Sequence, residues 1–171
     1  MPSSFLSECK QKVLSRIESL LVNKDQVTSS MRYSALADSK CIRAGLVFAS
    51  GKLEGQLDEV GLTDIATSIE LMHSYSLIHD DLPAMDDDGM RRGQPSNHIE
   101  FNEATAILAG DALQALAFET IASSKGIIDA HKVEAVRILA EACGHQGMIL
   151  GQQYDLDAEK NELLDIESVS Y

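Results

Sequence analysis

The sequence has few basic residues for its length. Against 27 aspartates and glutamates it carries only 14 lysines and arginines, which gives a formal net charge of −13 over 171 residues. So acidic a chain is a poor match for nucleic acid, and we expect no nucleic-acid partner. An anionic substrate would need a local cluster of cations to bind it.

Cysteines are also few. Cys9, Cys41 and Cys143 are scattered, and no CxxC pair is present. This spacing argues against a disulfide framework or a zinc site, and it favours reduced thiols in a cytoplasmic protein. The N-terminus mixes charged with apolar residues and does not resemble a secretory signal. No apolar run approaches the roughly 18–20 residues of a membrane-spanning helix, so we expect no membrane span.

Strand-like alternation is absent, and the dominant hydrophobic period is helical. The pattern predicts a single all-α domain over residues 1–171, with helices apolar enough to be largely buried. Ser3 or Ser4 is the predicted N-cap of the first helix, and Thr63 or Asp64 that of the fourth. The predicted helices are 4–23, 29–37, 42–54, 63–82, 103–124, 130–142 and 146–157.

The most informative stretch is HDDLPAMDDDGMRRGQPSNH, residues 79–98. Five carboxylates fall within nine residues at the end of an apolar helix, and Arg91 and Arg92 follow them. Carboxylates at a helix C-terminus are unfavourable unless a cation neutralises them. Mg²⁺ would do so, because it binds through one or two carboxylates together with substrate phosphates. Arginines are bidentate donors to phosphate, so the stretch predicts a site for metal-chelated pyrophosphate.

Other features of the stretch bear on this interpretation. Pro83 disfavours helix beyond Leu82, so the later aspartates can fold back toward the helix end. His73, Ser76 and Asp80 form a polar stripe on the preceding helix. A solvated loop is the common alternative for an acidic run, but the apolar helix before it and the arginine pair after it make that the weaker interpretation.

A calcium-binding loop is a second alternative. The calcium-loop pattern places Ala84 at its first ligand position and Pro95 at its last, where carboxylates are needed. The stretch therefore fails that pattern at both ends.

The motifs resemble the trans-isoprenyl diphosphate synthase (polyprenyl synthetase) family, most closely its bacterial members that make farnesyl diphosphate. DDLPAMD (80–86) is similar to the family's first aspartate-rich motif, and MRRG (90–93), NH (97–98) and EATAILAGDAL (103–113) continue the match. MRYSALADSKCIRA (31–44) resembles the family's Gly-Gly-Lys-Arg-x-Arg-Pro segment, with Cys41 and Ala44 in place of arginine and proline.

The resemblance implies a fold, a helical bundle of the isoprenoid synthase type, of which this chain supplies about the first half. The family's second aspartate-rich motif is absent. The last residues, NELLDIESVSY, begin another helical pattern that nothing stops before Tyr171. We therefore expect a chain cut in mid-helix, which is inactive by itself.

The resemblance also implies roles for individual residues. Asp80 and Asp86 would ligate Mg²⁺ with help from Asp81, and Arg91 would hold the allylic diphosphate. Isopentenyl diphosphate would be held by a set of four residues, Lys40, Arg43, His73 and Arg92.

The implied function is Mg²⁺-dependent condensation of isopentenyl diphosphate with dimethylallyl or geranyl diphosphate to give farnesyl diphosphate. An aromatic at position 75 would limit product length, although Ser76 lies more nearly beneath Asp80 on the helix. A homodimer is implied as well. The alternatives left open are a geranylgeranyl or longer-chain synthase, a class I terpene cyclase, and a non-catalytic half-length homologue that binds metal or a synthase partner.

Overall fold

The computed structural model describes residues 2–54 and 58–160, and their fold is almost entirely helical, as predicted. The helices are α1 (Pro2–Leu20), α2 (Gln26–Ala35), α3 (Ile42–Glu54), α4 (Glu59–Asp80), α5 (Asn97–Glu100), α6 (Glu103–Ala122), α7 (Asp129–Cys143) and α8 (Met148–Lys160). Two short strands, β1 (Met90–Arg91) and β2 (Gln94–Pro95), pair antiparallel between α4 and α5. The sequence pattern missed these strands and α5. The helical pattern predicted for 161–171 lies outside the described residues.

The predicted N-caps of two helices, α1 and α4, were wrong, and α2 begins at Gln26 instead of residue 29. α1 begins at Pro2, before the expected serine caps. α4 begins at Glu59, because the carboxylate of Asp58 accepts hydrogen bonds from the amides of Val60 (2.8 Å) and Gly61 (3.1 Å). Asp64, one of the expected caps, lies inside α4.

Asp64 is 1% exposed and accepts a hydrogen bond of 2.7 Å from Nε of Arg16 on α1. A buried carboxylate needs such a partner, so this residue ties α1 to α4 instead of starting a helix.

Residues up to Val136 form one compact unit, and α4 is its central helix. It packs against α6, α3 and α1, and its burial on several sides explains why its sequence is apolar almost all round. The buried apolar side chains on these helices include Val13, Ile17, Ala44, Phe48, Ala66, Leu71, Met72, Ile78, Ala106, Ala109, Leu113, Ala117 and Ile121.

Residues from Arg137 onward form a second unit, which contains the end of α7 and the described part of α8. A turn closed by a hydrogen bond of 3.0 Å from the amide of Gly147 to the carbonyl of Gly144 separates these two helices. Arg137 and Glu141 form an ion pair of 2.5 Å one turn apart on α7.

α6 differs from its prediction in one respect. The helix is 20 residues long, and its most apolar window is apolar enough to cross a membrane by length and composition alone. Of that window, 44% is buried inside the protein. The expectation that no apolar run approaches the length of a membrane-spanning helix was therefore wrong for α6. The absence of a membrane span stays a prediction.

Candidate active site

The acidic turn, residues 80–88, folds back onto the end of α4 as the sequence predicts. The amide of Asp86 donates to the carbonyl of Asp80 at 2.9 Å, and that of Met85 donates to the carbonyl of Leu82 at 2.8 Å. These bonds return the chain to the helix terminus. The turn thus places the first and last aspartates of the DDLPAMD motif in the same region.

Asp80 shows the electrostatic effect of this turn. Its pKa is raised to about 6, first by burial and then by the negative charges of Asp86 and Asp81, while Arg91 and His79 oppose the rise. Like charges close together disfavour ionisation of both. A cation bound between Asp80 and Asp86 would remove that cost.

Asp81 has different surroundings from its neighbours. It caps the C-terminus of α4, is 2% exposed, and accepts hydrogen bonds from both Nε (2.9 Å) and a terminal nitrogen of Arg91. Arg91 also lies 3.7 Å from the carboxylate of Asp88. Asp81, expected to assist a metal ion, is therefore engaged by the arginine that was expected to hold a diphosphate.

The arginine pair sits on a tight hairpin, residues 90–95, which we call the arginine hairpin. Arg92 and Gly93 form its two-residue loop, and both have positive φ, 54° and 80°. Loops of this kind favour Asn-Gly, because asparagine tolerates a positive φ better than other side chains do. An arginine at this position is conformationally unfavourable, which suggests that its charge is needed there.

Backbone strain is concentrated around this region. Within residues 2–54 and 58–160, three non-glycine residues have positive φ: Cys41 (45°), Asp87 (50°) and Arg92. Two lie in the acidic turn and the arginine hairpin, and the third immediately precedes α3. Strained residues cluster at functional sites, because the surrounding structure must stabilise them.

The charges of three arginines act on His73. The pKa of His73 is lowered to about 4, first by burial and then by the charges of Arg43, Arg92 and Arg91 in that order. His73 is therefore neutral near pH 7 and can hydrogen-bond an anion without adding charge. Arg43, Arg92 and the half-buried His73 were all predicted for one diphosphate pocket. Lys40 is exposed just before α3.

The start of α3 is held by a residue that the sequence analysis missed. The amide of Ala44 donates to Oε1 of Glu70 at 3.1 Å, and Glu70 is 6% exposed on α4. The first amides of a helix lack partners within it, so this carboxylate satisfies one of them. Cys41 is buried beside it, with its sulfur 3.0 Å from the hydroxyl of Ser39. The segment that departs from the family pattern is thus anchored from α4.

The two chain-length candidates face different neighbours. The ring of Tyr75 contacts that of His79 edge to face, with centroids 4.9 Å apart. The hydroxyl of Ser76 donates to the carbonyl of His73 at 3.0 Å, on the stripe that leads to Asp80. Position 76 is therefore the nearer to the acidic turn along this face.

His79 and Gly110 form a close contact between α4 and α6 that was not predicted. Nε2 of His79 lies 3.1 Å from the carbonyl of Ile107, and a Cβ at position 110 would fall 2.2 Å from Nε2. A glycine inside an apolar helix was the available signal. The side chain of Asp111 on α6 is 63% exposed, and its carboxylate lies 3.9 Å from Nε2 of His79.

Comparison with known proteins identifies the protein family of this chain. The sequence model of the polyprenyl synthetase family matches residues 24–171. The chain belongs to that family. It is 49% identical over 134 residues to the farnesyl diphosphate synthase of Haemophilus influenzae, a match that covers 78% of this chain and 45% of that protein.

Other relatives support the assignment. Geranylgeranyl pyrophosphate synthase 7 of Arabidopsis thaliana, a chloroplast protein, is 45% identical over 131 residues, covering 77% of this chain and 38% of that protein. The structure of a geranyltransferase from Legionella pneumophila superposes with a TM-score of 0.91 at 39% identity, covering 98% of this chain and 60% of that one. The isoprenoid synthase fold is thus confirmed. The chain spans about half the length of the curated relatives it matches.

The site at the end of α4 can supply some, but not all, of the ligands of Mg²⁺. In the described part of the chain, no group of three histidine, cysteine, aspartate or glutamate side chains is arranged to enclose a metal ion. Burial raises the pKa of Asp80, and the negative charge of Asp86 raises it further, so a cation at this point would be favourable. Two carboxylate donors suit an ion that takes its remaining ligands from water and diphosphate.

Proposed function

We propose that this polyprenyl synthetase, completed by the half of the fold that its relatives possess, elongates prenyl diphosphates. The substrates would be isopentenyl diphosphate and an allylic diphosphate, dimethylallyl or geranyl, and the product farnesyl diphosphate. The names of its bacterial relatives support this class of reaction. Cytoplasmic location and a homodimer stay predictions.

One observation carries the proposal: the acidic turn and the arginine hairpin meet at the C-terminus of α4. Asp80 and Asp86 would hold Mg²⁺, which when bound would neutralise charge on the pyrophosphate leaving group. The guanidinium of Arg91 contacts that turn, and its bond to Asp81 orients it. Fixed donors at developing negative charge are the main catalytic contribution expected of such a site.

The second substrate would bind among the cations near His73. Arg43, at the start of α3, and Arg92 carry positive charge beside the neutral imidazole of His73. Lys40 lies just before α3. The isopentenyl double bond would attack the allylic carbon as its bond to the pyrophosphate oxygen breaks. The electron pair leaves with pyrophosphate, and loss of a proton from the new cation restores a double bond.

Product length is the open part of the proposal. Tyr75 and Ser76 are the residues of α4 that we propose to limit the chain, with farnesyl diphosphate as the product. A geranylgeranyl diphosphate is the second candidate, because a geranylgeranyl pyrophosphate synthase is 45% identical to this chain.

Calorimetry on the 171-residue chain tests the proposed site. Mg²⁺ and geranyl diphosphate should strengthen each other's binding, and Asp86→Asn should abolish this coupling. Asp129→Asn is the matched control, because Asp129 is also an exposed carboxylate and its partner is Lys132 on α7. Equal diphosphate affinity with and without Mg²⁺ in the unaltered chain would refute the proposal.

A further inference from the structure

A buried polar network joins α2 to the segment that follows the arginine hairpin. The hydroxyl of Ser30 donates to Oδ1 of Asn97 at 2.6 Å. Nδ2 of Asn97 donates in return to the carbonyl of Ser30 at 3.0 Å and to the hydroxyl of Ser34 at 2.8 Å. Asn97 is 2% exposed and Ser30 is fully buried. The side-chain amide of Asn97 thus uses both of its N–H donors and its oxygen acceptor in bonds to Ser30 and Ser34.

The arginine hairpin depends on contacts of this kind. A two-stranded hairpin of four paired residues is marginal by itself in water. Its base is closed by a hydrogen bond of 3.0 Å from the amide of Ser96 to the carbonyl of Gly89, directly before Asn97. The hydroxyl of Tyr33 on α2 donates to the carbonyl of Pro95 at 2.8 Å. α2 therefore holds the second strand and the residues after it.

Apolar packing alone does not fix the hairpin at this point. A cavity of about 20 Å³, close to the space of one water molecule, lies between α2, α4 and the hairpin. Its lining includes Ser34, Asp81, Arg91 and Asn97. Because this space is not filled by side chains, the hydrogen bonds of Asn97, together with that of Tyr33 to Pro95, set the distance between the hairpin and α2.

We propose that Asn97 is a positioning residue for the arginine pair. By tying the hairpin to α2, it holds Arg91 where its guanidinium reaches Asp81, and it holds Arg92 where its charge acts on His73. The role of Asn97 in binding rests on the proposed function, because the arginines matter for binding only if the site takes a diphosphate. Its role in placing Arg91 does not depend on that.

The test compares three variants of the 171-residue chain. Asn97→Ala removes the whole contact, Ser34→Ala removes one of its three hydrogen bonds, and Ser29→Ala is the control. Ser29 neighbours Ser30 but is only half-buried, and its hydroxyl donates to the carbonyl of Asp25 instead. Two quantities are measured below the melting temperature of each variant. They are the hydrogen-exchange protection of the Arg91 Nε–H by NMR, and the affinity for pyrophosphate with Mg²⁺.

Asn97→Ala should abolish protection of the Arg91 Nε–H and weaken pyrophosphate binding about tenfold, since buried hydrogen bonds are costly to leave unmade. Ser34→Ala should weaken binding about twofold to threefold, and Ser29→Ala should change neither quantity. Full protection and unchanged affinity in Asn97→Ala would overturn the proposal. If that variant does not fold, unchanged protection in Ser34→Ala overturns it.

Failure of the proposed function can be told apart from failure of this inference. If the unaltered chain does not bind pyrophosphate with Mg²⁺, the proposed function is wrong. Protection of the Arg91 Nε–H still decides whether Asn97 positions the hairpin.

Discussion

The carboxylate of Asp81 and the guanidinium of Arg91 are joined across the acidic turn, with Nε 2.9 Å from Oδ1. The Asp81 side chain is 2% exposed, and that of Arg91 is 34% exposed. The adjacent Asp80 has a raised pKa, and Asp86 is exposed. Neighbouring aspartates of one motif therefore have separable roles, with Asp81 serving structure and Asp80 and Asp86 available to a ligand.

Replacing Asp81 with asparagine should destabilise the fold more than the same change at Asp86. Asp81→Asn leaves a partly buried guanidinium unpaired and should lower the free energy of unfolding by about 2 kcal/mol, less than for a fully buried pair. Asp86→Asn should stay within about 0.5 kcal/mol of the unaltered chain, because Asp86 is exposed. Urea denaturation measures both, and equal losses would contradict this division.

Replacing Arg92 with asparagine should stabilise the fold and weaken diphosphate binding. Arg92→Asn puts a residue tolerant of positive φ into the hairpin loop and should raise the free energy of unfolding by about 0.5–1 kcal/mol. The same change removes a charge near His73 and should weaken diphosphate binding. Arg92→Lys is the control, since it keeps the charge without relieving the backbone. Urea denaturation and calorimetry test the pair, and a destabilised Arg92→Asn would show that the strain is not real.

His73 should make the fold sensitive to acid. Its pKa is about 4 in the folded chain and about 6.5 when unfolded, so between these values only the unfolded state takes up the proton. Its contribution to stability should therefore decrease as pH falls from about 6.5 to about 4. Arg43→Gln should raise the His73 pKa only in part, because burial is the larger cause. Titration of the imidazole signals by NMR measures the pKa of His73, and a midpoint near 6.5 in the unaltered chain would refute the prediction.

Ala44→Pro should disturb the start of α3. Proline is tolerated in the first turn of a helix but has no N–H, so the hydrogen bond to Glu70 is lost. Leaving that buried carboxylate without this donor should lower the free energy of unfolding by about 1–3 kcal/mol. Thermal melts of Ala44→Pro and Ala44→Ser, which keeps the amide, make the comparison. Equal melting temperatures would show that the bond contributes little.

Tyr75→Ala tests the product-length proposal in a chain completed with the second half of a relative. Removing the ring should lengthen products from fifteen carbons to twenty or more if Tyr75 closes the end of the cavity. Ser76→Phe should shorten them, because position 76 lies on the stripe that leads to Asp80. Chromatography of the products decides between them. Unchanged farnesyl diphosphate from active Tyr75→Ala would transfer the limit to Ser76 or another residue.

Much of the architecture follows from the sequence because its signals are local. The 3.6-residue period predicts α3 at the bounds observed, and Pro83 predicts that the chain leaves α4 and turns back. The carboxylates and arginines of residues 79–98 predict a cation and diphosphate site. Such features depend on neighbours a few positions apart, whose geometry the backbone itself dictates.

Tertiary structure alone decided which of those groups are engaged and how they are held. Asp81 pairs with Arg91 ten residues away, Ala44 with Glu70 on another helix, and Asn97 with Ser30 across 67 positions. No periodicity encodes such pairs, because burial leaves each polar group to find its partner wherever packing brings the chain together. The sequence determined which chemical groups the site contains, and packing around α4 determined which of them remain available to a ligand.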